Sequence, residues 1–199
     1  MLLDRTHSIL ANFSIPGLDP AILEAVHRPR LSLFWGTRAP TQTLLILFTL
    51  LAARGETPRL FDGGNRFDGY FVARLARRLT PQPRAVLSRM RLSRAFTCFQ
   101  LAELIENTPT DSSPLFVLDL LNTFYDESVP PRDVERLLAR VIAQLKRLAA
   151  VGPVIVGAGE SQSLVKERWS LLDQLQAAAD LTWMLRPPQE ETIAQPRLF

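Results

Sequence analysis

Apolar residues along this chain fall into two alternating kinds of run: short continuous stretches bounded by turn residues, and longer stretches at helical spacing. The short stretches predict buried strands at residues 31–35, 59–61, 115–118, 153–156 and 181–185, with a further strand at 85–92. Between them, residues 44–53 are apolar nearly all round, so this helix must be covered on more than one side, as beside a central parallel sheet. Residues 67–79 form an amphipathic helix, with Arg66, Arg74 and Arg77 on one flank and Phe71, Val72, Leu75 and Leu79 on another. Pro81 and Pro83 stop it. A short helix from Pro20 to Val26, one from about Phe99 to before Pro109 and one over 168–178 complete the set, with a long helix opened by Pro130 and Pro131. In the long helix Val134, Leu137, Leu138, Val141, Ile142, Leu145 and Leu148 keep a 3.6-residue period. Residues 157–160 predict a turn.

Strands that alternate with helices imply an α/β fold with a mainly parallel sheet. Right-handed crossovers then bring the loops after the strands to one edge. Gly36, Asp62 and Asp119 all lie at carboxyl ends of strands, where such folds take ligands. The expected organisation is a tail or edge element at 1–13, a core domain at 14–186 and a tail at 187–199.

Composition narrows the chemistry. With 199 residues and 47% hydrophobic content the chain can bury a proper core. A lone cysteine, Cys98, excludes an internal disulfide and favours a reducing, cytoplasmic location. His7 and His27 have no ligand-spaced neighbours, so no metal site is expected. No apolar run is long enough to cross a bilayer. The net charge is only +3, but Lys146 and Lys166 are the only lysines, and arginine suits phosphate and carboxylate recognition. Residues 66–94 hold eight arginines, Arg66, Arg74, Arg77, Arg78, Arg84, Arg89, Arg91 and Arg94, against the single acid Asp68. This is either a solvated face, a surface for DNA or RNA, or a contact for an acidic partner. Residues 95–131 hold six acids and no Lys or Arg, and a basic segment beside an acidic one suits head-to-tail assembly in homo- or hetero-oligomers. Phe124 and Tyr125 are candidates for base stacking or a subunit contact.

Residues 36–43 have the length and placement of the phosphate-binding loop G-x-x-x-x-G-K-[ST], between a strand and a helix. Gly36 and Thr43 match it; Thr41 stands for the second glycine and Gln42 for the lysine. Together with 14–19 (SIPGLD), 60–67 (LFDGGNRF), 91–97 (RLSRAFT), 115–119 (LFVLD) and 179–186 (ADLTWMLR), the order of segments resembles the ATPase core of the RecA-like recombinase family. The resemblance spans residues 14–186 and implies a three-layer RecA-like P-loop NTPase fold, with 36–43 in the Walker A place and Asp119 in Walker B.

The departures from that family set the expected function. Gln42 carries no charge to reach the β and γ phosphates, and Pro40 lacks a backbone donor. The position matching the family's water-activating glutamate is Gly64, while Asp62 is read as structural. Positioning and electrostatics supply most of the rate in phosphoryl transfer, so the chain is expected to hydrolyse little or no ATP. The resemblance then implies a non-catalytic accessory protein of recombinational DNA repair that binds single-stranded DNA, a recombinase or both, with no cofactor. The alternatives are a residual ATP-binding protein, with Arg38 replacing the lysine and Thr43 and Asp119 at magnesium, and a purely structural subunit of a hetero-oligomer.

Overall fold

A computed structural model describes Ile22 and residues 26–160 and 168–185. The expected tails at 1–13 and 187–199, the segment 14–19, most of the helix from Pro20 and the stretch 161–167 lie outside the described residues.

Among the described residues six strands form one sheet: β1 (Arg30–Gly36), β2 (Arg59–Asp62), β3 (Arg91–Arg94), β4 (Leu115–Leu118), β5 (Pro153–Gly159) and β6 (Leu181–Met184). Their order is β3-β2-β4-β5-β1-β6, and every pairing is parallel. The helices described in full are α1 (Thr41–Ala53), α2 (Gly69–Leu79), α3 (Pro83–Arg89), α4 (Cys98–Glu106), α5 (Pro131–Ala149) and α6 (Ser170–Ala178). From β1 to β3 the chain crosses the sheet in one direction, and from β3 to β6 it returns in the other. With right-handed crossovers, that reversal sends α1, α2 and α3 to one face and α4, α5 and α6 to the opposite one.

The strand side chains follow this division. Leu31, Leu33, Leu115, Val117, Val154 and Val156 pack with Leu101, Leu138, Val141 and Leu171 in one core. Their neighbours Phe34, Phe116, Leu118 and Ile155 pack with Leu44, Leu47, Phe48 and Val72 in the other. Strands buried on both faces read as continuous apolar runs, which is why β4 stands out in the sequence. The period-two alternation inside each run decides which core each residue enters. Two helices are started by side-chain caps: Asp68 accepts from the Phe71 amide at 2.9 Å and Thr97 from the Gln100 amide at 3.2 Å. Among the described residues no helix is long and apolar enough to cross a membrane.

Two expectations are corrected. Residues 85–92 are not one strand: α3 occupies Pro83–Arg89 and β3 starts at Arg91. Pro83 sits in the first helical turn, where its missing N–H costs nothing, and Val86 buries against Ala52 and Ala76. Nor are residues 157–160 a turn. Gly157 and Gly159 continue β5, in register with Phe34 and Gly36 of β1, and Cβ atoms there would lie 2.9 Å from Leu44 Cδ2 and 3.1 Å from the Ala39 nitrogen. These glycines mark close approach by α1 and the loop before it.

Candidate functional site

The carboxyl ends of β1, β4 and β5 open on a cleft of about 840 Å³, within the range of small-molecule sites. The loop from β1 to α1 forms one wall. At its start, a Cβ on Gly36 would lie 2.3 Å from the Leu185 carbonyl oxygen, and the Leu185 amide donates to Trp35 at 2.7 Å. Gly36 is therefore required by the chain leaving β6.

One donor of the loop is spent internally. Pro40, with φ −77° and ψ 56°, makes an inverse γ-turn in which the Thr41 amide donates to the Ala39 carbonyl at 2.8 Å. Positive φ occurs among the described residues only at Gly55, Asn65 and Asp119. Residues 37–43 thus lack the left-handed residue that would let successive amides converge on an anion as a nest. Helix α1 starts without a side-chain cap. Gln42 is exposed and Thr43 half-buried, and neither lines the cleft.

The opposite wall is built on two carboxylates. Asp62 is fully buried and accepts from the Arg66 amide at 2.8 Å, the Phe67 amide at 3.1 Å and Arg94 Nε at 3.2 Å. It holds the 63–66 turn in place. Asp119 is 5% exposed and left-handed, with φ 48° and ψ 53°. Its Oδ2 accepts from Arg66 Nε at 3.3 Å. Burial pushes its pKa up, opposed by the Arg66 guanidinium and a hydrogen bond from the Gly159 backbone.

Gly64 lies directly against that carboxylate. A Cβ there would sit 2.6 Å from Asp119 Cβ and 2.7 Å from Asp119 Oδ2. The space into which a side chain at 64 would grow is filled by Asp119.

Of the residues expected at a nucleotide site, Arg38, Thr41 and Asp119 line the cleft, joined by Arg66 and Tyr125. The lining holds four carboxylates, Asp119, Asp126, Glu127 and Glu160, against two guanidiniums, Arg38 and Arg66. That balance disfavours a polyphosphate. No group of three His, Cys, Asp or Glu side chains able to hold a metal ion is found among the described residues. Tyr125 donates its hydroxyl to the Gly159 carbonyl at 3.0 Å, and burial, with Asp119, Glu160 and Asp173 nearby, pushes its pKa well up.

Phe124, expected as a stacking or contact residue, is instead fully buried. After left-handed Asp119 the chain enters a 3-10 turn at Leu120–Thr123, which carries Phe124 into the core under α4 and α5. Arg168 was not foreseen. It is 1% exposed and donates to the Phe124 carbonyl and, at 2.6 Å, to the Val129 carbonyl, tying down the segment that carries Tyr125 and Asp126. A single arginine in a polar stretch leaves no sequence signal of burial.

The eight arginines at 66–94 do not form one field. Arg66 and Arg94 hold the carboxylates at the carboxyl edge, Arg74 lies over the Phe71 ring at 5.9 Å, and Arg89 donates to the Ala52 carbonyl at 3.2 Å, capping α1. The side chains of Arg77, Arg78, Arg84 and Arg91 are exposed, with no hydrogen-bond or ion-pair partner among the described residues. They sit at the end of α2, the start of α3 and the start of β3. That places them at the amino edge of the sheet, opposite the cleft.

No protein-family model matches the chain, and no curated protein matches it in sequence.

Proposed function

We propose that this chain is a non-catalytic RecA-like paralogue, an accessory or regulatory protein of recombinational DNA repair that binds single-stranded DNA, a recombinase or both. The observation that carries the reading is the contact between Gly64 and Asp119. A cleft lies at the edge of the sheet where a P-loop protein holds nucleotide, yet the place of the water-activating side chain is a glycine packed at 2.6–2.7 Å, by its ideal Cβ, against the Walker B-like carboxylate. With Gln42 uncharged and exposed and the Thr41 amide spent on the Ala39 carbonyl, the loop lacks the lysine and one of the amide donors that hold a transferring phosphoryl.

The nucleic-acid part of the reading rests on Arg77, Arg78, Arg84 and Arg91, which have no intramolecular partner among the described residues. Four phosphate contacts to a single strand give a salt slope of about −3, at about −0.7 per contact. Fluorescence anisotropy of labelled oligo-dT over a salt series tests this. Binding with that slope, weakened when the four arginines are changed to glutamine, is the expected result. Absence of salt-sensitive binding at about 100 μM protein, beyond the usual non-specific range, refutes it.

Retained nucleotide binding is the second reading, and one observation favours it: Arg38 lines the cleft with no partner among the described residues. Calorimetry with magnesium-ATP decides it. Heat that is present in wild type and lost in Arg38→Ala supports nucleotide binding, and no heat rejects it.

A further inference from the structure

Helix α2 carries one stripe of exposed side chains that joins an open aromatic ring to positive charge. At about 100° per residue, Tyr70, Arg74, Arg77 and Arg78 fall within about 100° of the helix circumference, opposite the buried Val72 and Ala76. All four are exposed, and Tyr70 is 92% exposed, more than any other large apolar or aromatic side chain among the described residues. Because α2 returns from β2 to β3 across the outside of the sheet, the stripe runs from Tyr70 near the carboxyl edge to Arg77 and Arg78 at the amino edge.

The surroundings of Tyr70 do not suit an apolar protein contact. One turn along the same flank stand the half-buried Ala73 and the exposed Arg74, whose guanidinium lies over the Phe71 ring at 5.9 Å. Phe67 and Phe71, the nearest other aromatics in the chain, pack against the core under α2. A lone ring beside a guanidinium gives a protein partner no apolar rim with which to exclude water. It does present an open π-face to a flat ligand.

The charge identifies what fits. Arg74 is engaged by Phe71, whereas the side chains of Arg77 and Arg78, with Arg84 and Arg91 after them, have no partner among the described residues, and no acidic residue occurs from 69 to 102. Arg77 lies two helical turns past Tyr70, about 10 Å along the axis, a span that about three stacked nucleotides cover at about 3.4 Å each. A base on Tyr70 therefore leaves the phosphates that follow within reach of Arg77 and Arg78. An aromatic ring that accepts any base, set beside a run of cations, is the arrangement that holds a single strand. A duplex keeps its bases stacked on one another and away from the ring.

We propose that the outer face of α2 is a stacking platform for single-stranded DNA, in which one unpaired base lies on the Tyr70 ring and the phosphates after it meet Arg77, Arg78, Arg84 and Arg91. Resting on the DNA-binding reading above, the site adds the group that separates a single strand from other polyanions. Charge alone holds duplex, single strand and acidic protein alike, whereas stacking requires an unpaired base.

Fluorescence anisotropy of the full chain with labelled oligo-dT, an abasic oligonucleotide of the same length and a labelled poly-Glu peptide provides the test. Oligo-dT binds about fivefold or more tightly than the abasic strand. Tyr70→Ala, a change at an exposed side chain that leaves the fold intact, weakens oligo-dT binding about fivefold to a hundredfold, the worth of one stacked base, and Tyr70→Trp retains it. The salt slope stays at about −3 in Tyr70→Ala, because no phosphate contact is lost. Equal binding of the two oligonucleotides, or equal binding of oligo-dT by wild type and Tyr70→Ala, overturns the platform and leaves the arginine contacts standing. Absence of salt-sensitive binding to either oligonucleotide overturns both. Poly-Glu that binds more tightly than oligo-dT and loses affinity in Tyr70→Ala assigns this face to an acidic protein and likewise overturns the platform.

Discussion

Replacing Gly64 by alanine tests the contact on which the functional reading rests. The backbone at 64 is not left-handed, so alanine introduces no φ strain, and any cost comes from its methyl group. That methyl would start 2.6 Å from Asp119 Cβ and 2.7 Å from Oδ2, distances at which Asp119 must move and loosen its 3.3 Å contact with Arg66. Overpacking of this kind costs about 1–3 kcal/mol, and the entropy that alanine removes from the unfolded chain returns about 0.4–1 kcal/mol. Gly64→Ala should therefore destabilise by about 1–2 kcal/mol. In an Asp119→Gly background, where glycine suits the left-handed backbone and the carboxylate is gone, the same change should be neutral or stabilise by about 0.5 kcal/mol. Urea denaturation of the four proteins of this double-mutant cycle gives the coupling. Equal costs in both backgrounds, within about 0.5 kcal/mol, would refute the claim that Asp119 fills the space beside Gly64.

Three further outcomes follow from the charged groups. Because burial raises the Asp119 pKa, the fold favours its protonated form, and its contribution to stability declines as pH rises through that raised value. Asp119→Asn, which tolerates positive φ equally well, should raise Tm at neutral pH, with the gain vanishing in acid. Asp111 moves the other way: its hydrogen bond from Arg59 lowers its pKa from 3.8 to about 2. The stability it gives is present above its unfolded value and lost as pH falls through about 2, so thermal melts of Arg59→Gln should show a shallower acid limb than wild type. Arg168→Met leaves the Phe124 and Val129 carbonyls without their buried donor, and denaturant titration should show a loss of about 2–4 kcal/mol.

Much of the fold was legible because its signals are local. β4 is a continuous apolar run, α5 keeps its period from Val134 to Leu148, and α1 is apolar on all sides because the sheet and α2 both cover it. The failures arose where a residue's partner is distant in sequence. Gly157 and Gly159 carry turn-like composition, but pairing with Phe34 and Gly36 makes them strand residues and the approach of Leu44 and Ala39 keeps them glycine. Pro83 was read as ending α2, and it also begins α3. At the candidate site, order along the chain put Gly36, Asp62 and Asp119 at the right edge of the sheet, since topology alone fixes that. It gave no access to the fit of Asp119 against Gly64 or to Arg168, which depend on contacts across tens of residues. The eight arginines looked like one patch in the sequence because α2 and α3 were not yet folded back to separate the two edges.

The central claim is that the cleft holds the place of a nucleotide site without its chemistry. Phosphate release from magnesium-ATP, followed with and without single-stranded DNA, measures this most directly. The predicted rate does not exceed the protein-free background and is the same for wild type and Asp119→Asn. Release above background that Asp119→Asn or Thr43→Ala abolishes would contradict it.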